Sequence, residues 1–233
     1  MSDRRGANPY EDLARRTTSS GPSRGLVIGI AAVFVVVVLG VVAIFLTGND
    51  GAGGNIDAVQ EQGPVEVSGE PLQPMSRVDG FVVPVELDPA VGSTPPTLEG
   101  QDFEQGEVSI DPADGRAKVV AFLAHWCPHC QTEVPRIQDW VDDGNLPEDV
   151  DLYAVSTGVQ ADGANYPPSK WLDREGWTGD ILLDDPDGTA ANAWGLTGYP
   201  YLVFVDSDGK VTRRASGELP IEDFAELVAE IAA

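Results

Sequence analysis

Residues 118–135 read KVVAFLAHWCPHCQTEVP, and this stretch gives the clearest indication of the fold. Its beginning, residues 118–124, is an almost entirely apolar run of the kind found in a strand that is buried on both faces. Residues 128–141 then repeat apolar side chains at the spacing of one helix face. The stretch therefore predicts a buried strand that leads through a short junction into a helix.

All the cysteines and histidines of the 233-residue chain fall at that junction: His125, Cys127, His129 and Cys130. Residues i and i+3 of a helix share a face, so the two sulfurs can reach bonding distance. Cys127 falls at the helix start, where free N–H groups and the helix dipole favour a thiolate, the species that attacks disulfides. We therefore expect Cys127 to attack, Cys130 to resolve the product, and a protonated His129 to stabilise the thiolate.

Three other interpretations of this cluster stay open. A purely structural disulfide is disfavoured because a bridge across so small a loop removes little unfolded-state entropy. A copper or zinc site made of both cysteines and both histidines is disfavoured because a rigid strand-to-helix junction makes simultaneous ligation awkward. An inactive binding module would not need the cysteine pair. We therefore expect no metal and no other cofactor.

The charge of the chain limits its partners. Its 14 Lys and Arg against 38 Asp and Glu give a net charge of −24, which argues against broad nucleic-acid binding because that needs cations at the phosphates. Hydrophobic residues make up 42% of the chain, enough for a packed core.

Residues 26–46 read LVIGIAAVFVVVVLGVVAIFL, which has no charged side chain. As a helix this segment is roughly 31 Å long, which matches the hydrocarbon core of a bilayer and exceeds the apolar region of a signal peptide. Five arginines precede it, whereas no basic residue follows until Arg77. The positive-inside rule therefore predicts a single-pass cell-membrane protein, with a cytoplasmic tail (1–25), a transmembrane helix (26–46) and an extracytoplasmic remainder.

The extracytoplasmic part divides into two regions. Residues 47–87 are rich in Gly, Pro and polar side chains, and we expect a flexible linker with possible short strands, one of them at residues 65–67. Residues 88–233 alternate strand and helix patterns, with a possible hairpin at residues 98–110 and an amphipathic helix at the end. This order predicts an α/β domain with a mixed central sheet.

Residues 122–135 resemble the active-site segment of the thioredoxin superfamily, and are most similar to its membrane-tethered TlpA/ResA-like branch. Trp126 precedes the first cysteine, and Pro135 falls five residues after the second, where the family kinks its helix. Glu133 matches an acidic position that is common in this branch. Ala121 replaces the buried acid of thioredoxin itself, so the resemblance leaves proton handling to another group, which is Glu133, His129 or water. A solvated helix face is the alternative role for Glu133.

A second match lies far along the chain, where Tyr199 and Pro200 resemble the loop whose proline is cis and faces the disulfide. The resemblance covers about residues 88–233. It implies a thioredoxin-like three-layer sandwich with a mixed central sheet, preceded by one transmembrane helix. It also implies that Trp126, Tyr199 and Pro200 shape the groove in which a substrate docks.

The activity implied by this resemblance is that of an extracytoplasmic thiol–disulfide oxidoreductase. Its partners would be exported proteins with thiols or disulfides, and a membrane redox protein. The architecture is similar to TlpA-like reductases, including those that keep cytochrome c apoprotein reduced. The central dipeptide Pro128-His129 is instead that of DsbA-type oxidases, in which a stabilised thiolate gives an oxidising potential. A reductase is therefore our first expectation, with a DsbA-like oxidase and a copper-handling module as alternatives.

Overall fold

The computed structural model of the protein describes residues 60–76 and 82–232. The predicted tail (1–25) and the predicted transmembrane helix (26–46) lie outside these ranges. Within the described ranges, no helix combines the length and apolar character that a bilayer crossing requires.

A five-stranded sheet forms the centre of the domain, in the spatial order β6-β5-β4-β7-β8. Its strands are β4 (Ala117–Leu123), β5 (Val150–Ser156), β6 (Asp180–Leu183), β7 (Tyr201–Val205) and β8 (Val211–Ser216). Strands β4, β5 and β6 are parallel, whereas β7 runs antiparallel to both β4 and β8. The predicted mixed sheet is therefore confirmed.

Strand β4 is the middle strand, and all seven of its residues are buried. This explains its apolar run, because a strand with neighbours on both sides and layers on both faces exposes no side chain to water. Its carboxyl end delivers the cysteine segment to the same edge of the sheet at which β5 ends. That edge of an α/β sheet is where ligands and substrates usually bind.

Four helices are described: α1 (Pro128–Asp142), α2 (Pro168–Arg174), α3 (Thr189–Ala193) and α4 (Ile221–Ile231). Helices α1 and α4 cover one face of the sheet, where their buried side chains share a core with β4. The main contributors from these two helices are Val134, Ile137, Phe224, Leu227 and Val228. Pro135 lies inside α1, as the family resemblance implied, and removes one helix hydrogen bond near the cysteines.

The other face of the central sheet is covered by a small antiparallel sheet and by α3. The small sheet has the order β1-β2-β3, with strands β1 (Glu66–Ser68), β2 (Thr97–Gln101) and β3 (Glu107–Ile110). Leu98 and Ile110 point inward and join the core that contains Val120 and Phe122. The hairpin predicted at residues 98–110 is present as β2 and β3.

The predicted flexible linker (47–87) needs correction where the structure describes it. Residues 66–68 form β1 at the edge of the small sheet, close to the possible strand at 65–67. Leu72 and Met75 are buried, and their N–H groups donate to Ala193 and Gly195 carbonyls. The stretch is fixed to the domain because its scattered apolar side chains bury themselves, which composition alone did not indicate.

A buried ion pair also helps to fix residues 60–76 to the domain, because its arginine contacts the Gln73 carbonyl. Arg214 of β8 donates from Nε to Asp88 Oδ2 at 2.9 Å and from Nη2 to Asp88 Oδ1, and neither side chain is exposed to solvent. The Arg214 guanidinium also donates to the Gln73 carbonyl at 2.8 Å and to the Tyr201 hydroxyl at 3.0 Å. One guanidinium thus joins the N-terminal stretch to strands β7 and β8.

Candidate active site

Cys127 is the N-cap residue of α1, immediately after the turn that follows β4. Its N–H donates to the Ala124 carbonyl at 2.9 Å, and its own carbonyl accepts from the Gln131 N–H at 3.1 Å. Both cysteines are free thiols in the structure. Cys127 is 6% exposed, whereas Cys130, one turn into the helix, is fully buried. Only the first sulfur is therefore positioned to meet another protein.

Burial raises the pKa of the Cys130 thiol far above its usual value, and the neighbouring Cys127 and Glu133 raise it further. Desolvation has this effect because a thiolate loses its hydration in an apolar surrounding. Cys130 is therefore held as a neutral thiol at neutral pH. It becomes a nucleophile only when a base accepts its proton.

The Tyr199–Pro200 peptide bond is cis, and the Tyr199 carbonyl lies 3.8 Å from Cys127 Sγ. Trp126 packs edge-to-face against Tyr199, with the ring centroids 5.8 Å apart, and its indole N–H donates to the Gly158 carbonyl at 2.7 Å. The structure thus brings the three predicted substrate-binding residues, Trp126, Tyr199 and Pro200, to the attacking cysteine.

Gly158 supports this arrangement in a second way. Its φ of +61° lies in the left-handed region, and a Cβ atom there would lie 2.8 Å from the Tyr199 hydroxyl. Glycine is the residue that fits both requirements. The aromatic wall beside Cys127 therefore depends on a backbone position 31 residues away in sequence.

Glu133 lies on the inner side of α1 and is 1% exposed, so the solvated-face alternative is wrong. Both of its carboxyl oxygens lie 3.2 Å from the Leu219 N–H, which donates to them. Burial raises the pKa of Glu133 to about 7, because the charged form loses hydration that one backbone hydrogen bond only partly replaces. The carboxyl can therefore gain or lose a proton near neutral pH.

His129 lies on the outer side of the first helical turn, with 60% of its side chain exposed. Its Nδ1 is 2.7 Å from Glu218 Oε1, in the loop between β8 and α4. The other oxygen of Glu218 lies 3.3 Å from Arg136 Nη1, and that nitrogen is 4.0 Å from Glu133 Oε2. Sequence reasoning missed Glu218 because nothing in its local pattern distinguishes it from other loop carboxylates.

His125 is buried, and the backbone occupies both of its ring nitrogens. Nδ1 donates to the Ala164 carbonyl at 2.6 Å, and Nε2 accepts from the Gln160 N–H at 3.0 Å. A neutral imidazole with this pattern would lose a hydrogen bond before it could bind a metal. Among the residues that the structure describes, no three His, Cys, Asp or Glu side chains are grouped to hold a metal ion. This weakens the copper-handling alternative, which counted His125 as a ligand.

The arrangement joins an accessible thiol, a buried thiol and a buried carboxyl with a pKa near neutrality. The accessible thiol can exchange with an incoming disulfide, and the buried thiol can then attack the same sulfur. The charge of the Glu133 carboxyl acts on Cys130 and raises the pKa of its thiol.

Comparison with known proteins agrees with this chemistry. Residues 91–214 match the model of the AhpC/TSA family. The thiol-disulfide oxidoreductase ResA of Geobacillus thermodenitrificans is 28% identical over 134 residues, which cover 58% of this chain and 74% of that protein. The thiol:disulfide interchange protein DsbE homolog of Paracoccus denitrificans is 30% identical over 136 residues, covering 58% of this chain and 68% of that protein.

Among solved structures, a DsbF homologue from Corynebacterium diphtheriae is similar with a TM-score of 0.55 and 16% identity. The match covers 69% of this chain and 99% of that one, and it shows a common, thioredoxin-like fold. The family match over residues 91–214 shows that this chain belongs to the AhpC/TSA family, and its relatives among the ResA and DsbE proteins show that it is a thiol–disulfide oxidoreductase.

Proposed function

We propose that this oxidoreductase reduces disulfides of exported proteins outside the cytoplasm, with Cys127 and Cys130 as its redox pair. The observation that carries the proposal is the difference in burial between the two sulfurs, together with the buried acid Glu133 on the same helix. Cys127 lies at a helix start and is 6% exposed, whereas Cys130 is fully buried and is influenced by the charge of Glu133, a carboxyl with a pKa of about 7. This asymmetry supports attack by Cys127 and resolution by Cys130.

In the proposed cycle, the Cys127 thiolate attacks one sulfur of a substrate disulfide and forms a mixed disulfide, and the other substrate sulfur leaves as a thiolate. Glu133 then accepts the proton of Cys130, whose sulfur attacks Cys127 Sγ. The Cys127–Cys130 disulfide forms, and the second substrate sulfur leaves as a thiol after taking a proton. Two electrons have passed to the substrate, and a membrane redox partner returns two electrons to the enzyme.

The groove beside Cys127 is the proposed docking site for the substrate chain. Trp126 and Tyr199 form an aromatic wall there, and Pro200 has no N–H, so the backbone around it is available to an incoming extended segment. We propose exported proteins as the substrates, with cytochrome c apoprotein among them, since the chain resembles reductases of that class.

The direction of electron flow is tested by the equilibrium of the full-length protein with glutathione. A reductase requires a potential below about −180 mV, whereas DsbA-type oxidases lie near −120 mV. We expect the lower range. A value near that of the oxidases would assign the protein to the alternative function, oxidation of exported thiols.

We also propose that residues 26–46 anchor the enzyme as a transmembrane helix, with residues 1–25 in the cytoplasm and 88–233 as the extracytoplasmic catalytic domain. The length and apolar character of the segment and the arginines before it support this topology. A membrane-impermeant maleimide should label Cys127 in intact, reduced spheroplasts. Labelling that appears only after lysis would contradict the proposed orientation.

Replacement of Glu133 by glutamine is expected to slow the resolving attack of Cys130 by about 10²-fold at pH 7, because the base that accepts its proton is lost. Stopped-flow decay of a preformed mixed disulfide measures this step. The exposed glutamate Glu222, changed to glutamine, is the matched control and should leave the rate unchanged. An unaltered rate in Glu133→Gln would remove Glu133 from the mechanism.

The same variant has a stability signature. Folding raises the pKa of Glu133 from 4.5 to about 7, so the folded state binds more protons than the unfolded state between these values. The free energy of unfolding of the wild type should therefore fall as pH rises through this interval, by about 3 kcal/mol. Glu133→Gln should lack this decrease, which urea unfolding at pH 4.5 and pH 8 can measure.

A further inference from the structure

The loop between β8 and α4 places a carboxylate on the outer side of the redox site. Glu218 is the central member of a chain of charges in which Oε1 contacts His129 Nδ1 at 2.7 Å and Oε2 contacts Arg136 Nη1 at 3.3 Å. The next residue, Leu219, donates its N–H to Glu133. One short loop therefore contacts both the histidine of the CPHC motif and the buried acid.

This pairing changes what His129 can contribute to the cysteines. A protonated imidazole next to a thiolate stabilises it, and a stabilised thiolate makes the dithiol form more favourable and the couple more oxidising. In this protein the ring nitrogen Nδ1 is hydrogen-bonded to a carboxylate, whose negative charge opposes the effect that a protonated ring has on a thiolate. The hydrogen bond from His129 also holds the pKa of Glu218 below its usual value, so the carboxylate is charged at neutral pH.

We propose that Glu218 is a positioning residue that sets the redox poise of the Cys127–Cys130 pair, by holding the His129 ring and placing a negative charge beside it. The Pro128-His129 dipeptide then acts without the oxidising effect that a histidine lacking a carboxylate partner would have. This inference rests on the proposed function, since it accounts for a reducing enzyme that carries an oxidase-type dipeptide.

When Glu218 is neutralised, the remaining charges around this site should shift Cys127 towards the thiolate. Arg136 keeps its charge and loses a partner, and His129 loses the carboxylate that is hydrogen-bonded to its Nδ1. Neutralising Glu218 also removes a repulsion that raises the pKa of the buried Glu133, which only partly opposes this change because Glu133 then ionises somewhat more readily. The net effect at Cys127 is a more positive surrounding, which favours the thiolate.

Glu218→Gln is the test, since glutamine keeps the shape and removes the charge of a side chain that is 29% exposed. At pH 7 the equilibrium constant for oxidation of the full-length protein by glutathione disulfide should fall about threefold to tenfold, as expected for one partly exposed charge. The ultraviolet thiolate absorbance of the reduced protein should rise. An unchanged constant, or a shift towards a more reducing couple, would overturn the proposal.

Two further variants identify the route of the effect. In a His129→Gln background, Glu218→Gln should produce less than half of its original shift, because the histidine through which it acts is gone; a larger residual shift would contradict the role of His129. Glu230→Gln is the matched control, since it removes a carboxylate that pairs with Arg213 near the far end of α4. Glu230→Gln should leave the equilibrium constant unchanged. An equal shift in Glu230→Gln would show that the effect depends only on the net charge of the protein and would contradict the proposal.

The outcomes separate this inference from the proposed function. If Glu218→Gln shifts the glutathione equilibrium while the wild type proves oxidising, the control of poise by Glu218 stands and the reductase assignment fails. If the wild type is reducing and Glu218→Gln leaves the equilibrium unchanged, the proposed function stands and this inference fails.

Discussion

Cys127→Ser is expected to reduce disulfide exchange to its uncatalysed background, a loss of at least about a thousandfold. A serine hydroxyl is not ionised near neutral pH and cannot form a mixed disulfide, so the first step has no nucleophile. Reduction of insulin disulfides by the reduced full-length protein measures the loss. The variant should fold, because Cys127 is an N-cap residue and serine is favoured at that position.

Cys130→Ser is the matched variant, and it should behave differently. It keeps the accessible sulfur of Cys127 and lacks the buried one, so attack proceeds and resolution stops. Mixed disulfides with substrates should accumulate and be visible on non-reducing gels, and they should disappear when Cys127 is also replaced. If Cys127→Ser formed the adducts and Cys130→Ser did not, the two roles would have to be exchanged.

Arg214→Met is expected to lower the free energy of unfolding by about 3–5 kcal/mol, the usual cost of removing one partner of a buried ion pair. Asp88 would be left as a buried carboxylate without its partner, and the Gln73 carbonyl and Tyr201 hydroxyl would lose their donor. Denaturant unfolding of the full-length protein, with the midpoint compared at constant slope, measures this change.

The neighbouring arginine provides the control for Arg214. Arg213 pairs with Glu230 at 3.2 Å, and both side chains are partly exposed. Because solvent screens such a pair, Arg213→Met should cost less than about 1 kcal/mol. Replacing both members of the buried pair, Asp88→Leu with Arg214→Met, should recover part of the lost stability, since no unpaired charge remains. If Arg214→Met and Arg213→Met lowered the free energy of unfolding equally, the buried pair would contribute no more to stability than the exposed pair.

The fold was predictable from the sequence to the extent that burial follows pattern. The apolar run at residues 118–124 predicted a central strand, and the spacing after it predicted α1, because each pattern matches one periodicity. The stretch 60–76 was not predictable in this way. Its few buried side chains, such as Leu72 and Met75, occur among Pro, Gly and polar residues, and they acquire a partner surface only when the domain has formed.

The candidate site was also predictable from the sequence only in part. The positions of Trp126, Cys127 and Cys130 relative to one another follow from local spacing, because a strand-to-helix junction and an i,i+3 relation fix them. The approach of Tyr199 to Cys127, and of Glu218 to His129, depends on how β7 and the loop before α4 pack beside α1. Sequence suggested the first approach only through family resemblance, and it carried no signal for the second.

From the sequence alone, Cys127 and Cys130 were predicted as the redox pair, and their order with His125 and His129 along the strand-to-helix junction was fixed. The tertiary structure decided their environments: it buried Cys130 and Glu133, gave both ring nitrogens of His125 to the backbone, and paired His129 with Glu218. The physical reason is that proton affinity and redox poise depend on desolvation and on charges within a few ångströms. Those neighbours come from strands and loops up to 89 residues away, and only the folded chain brings them together.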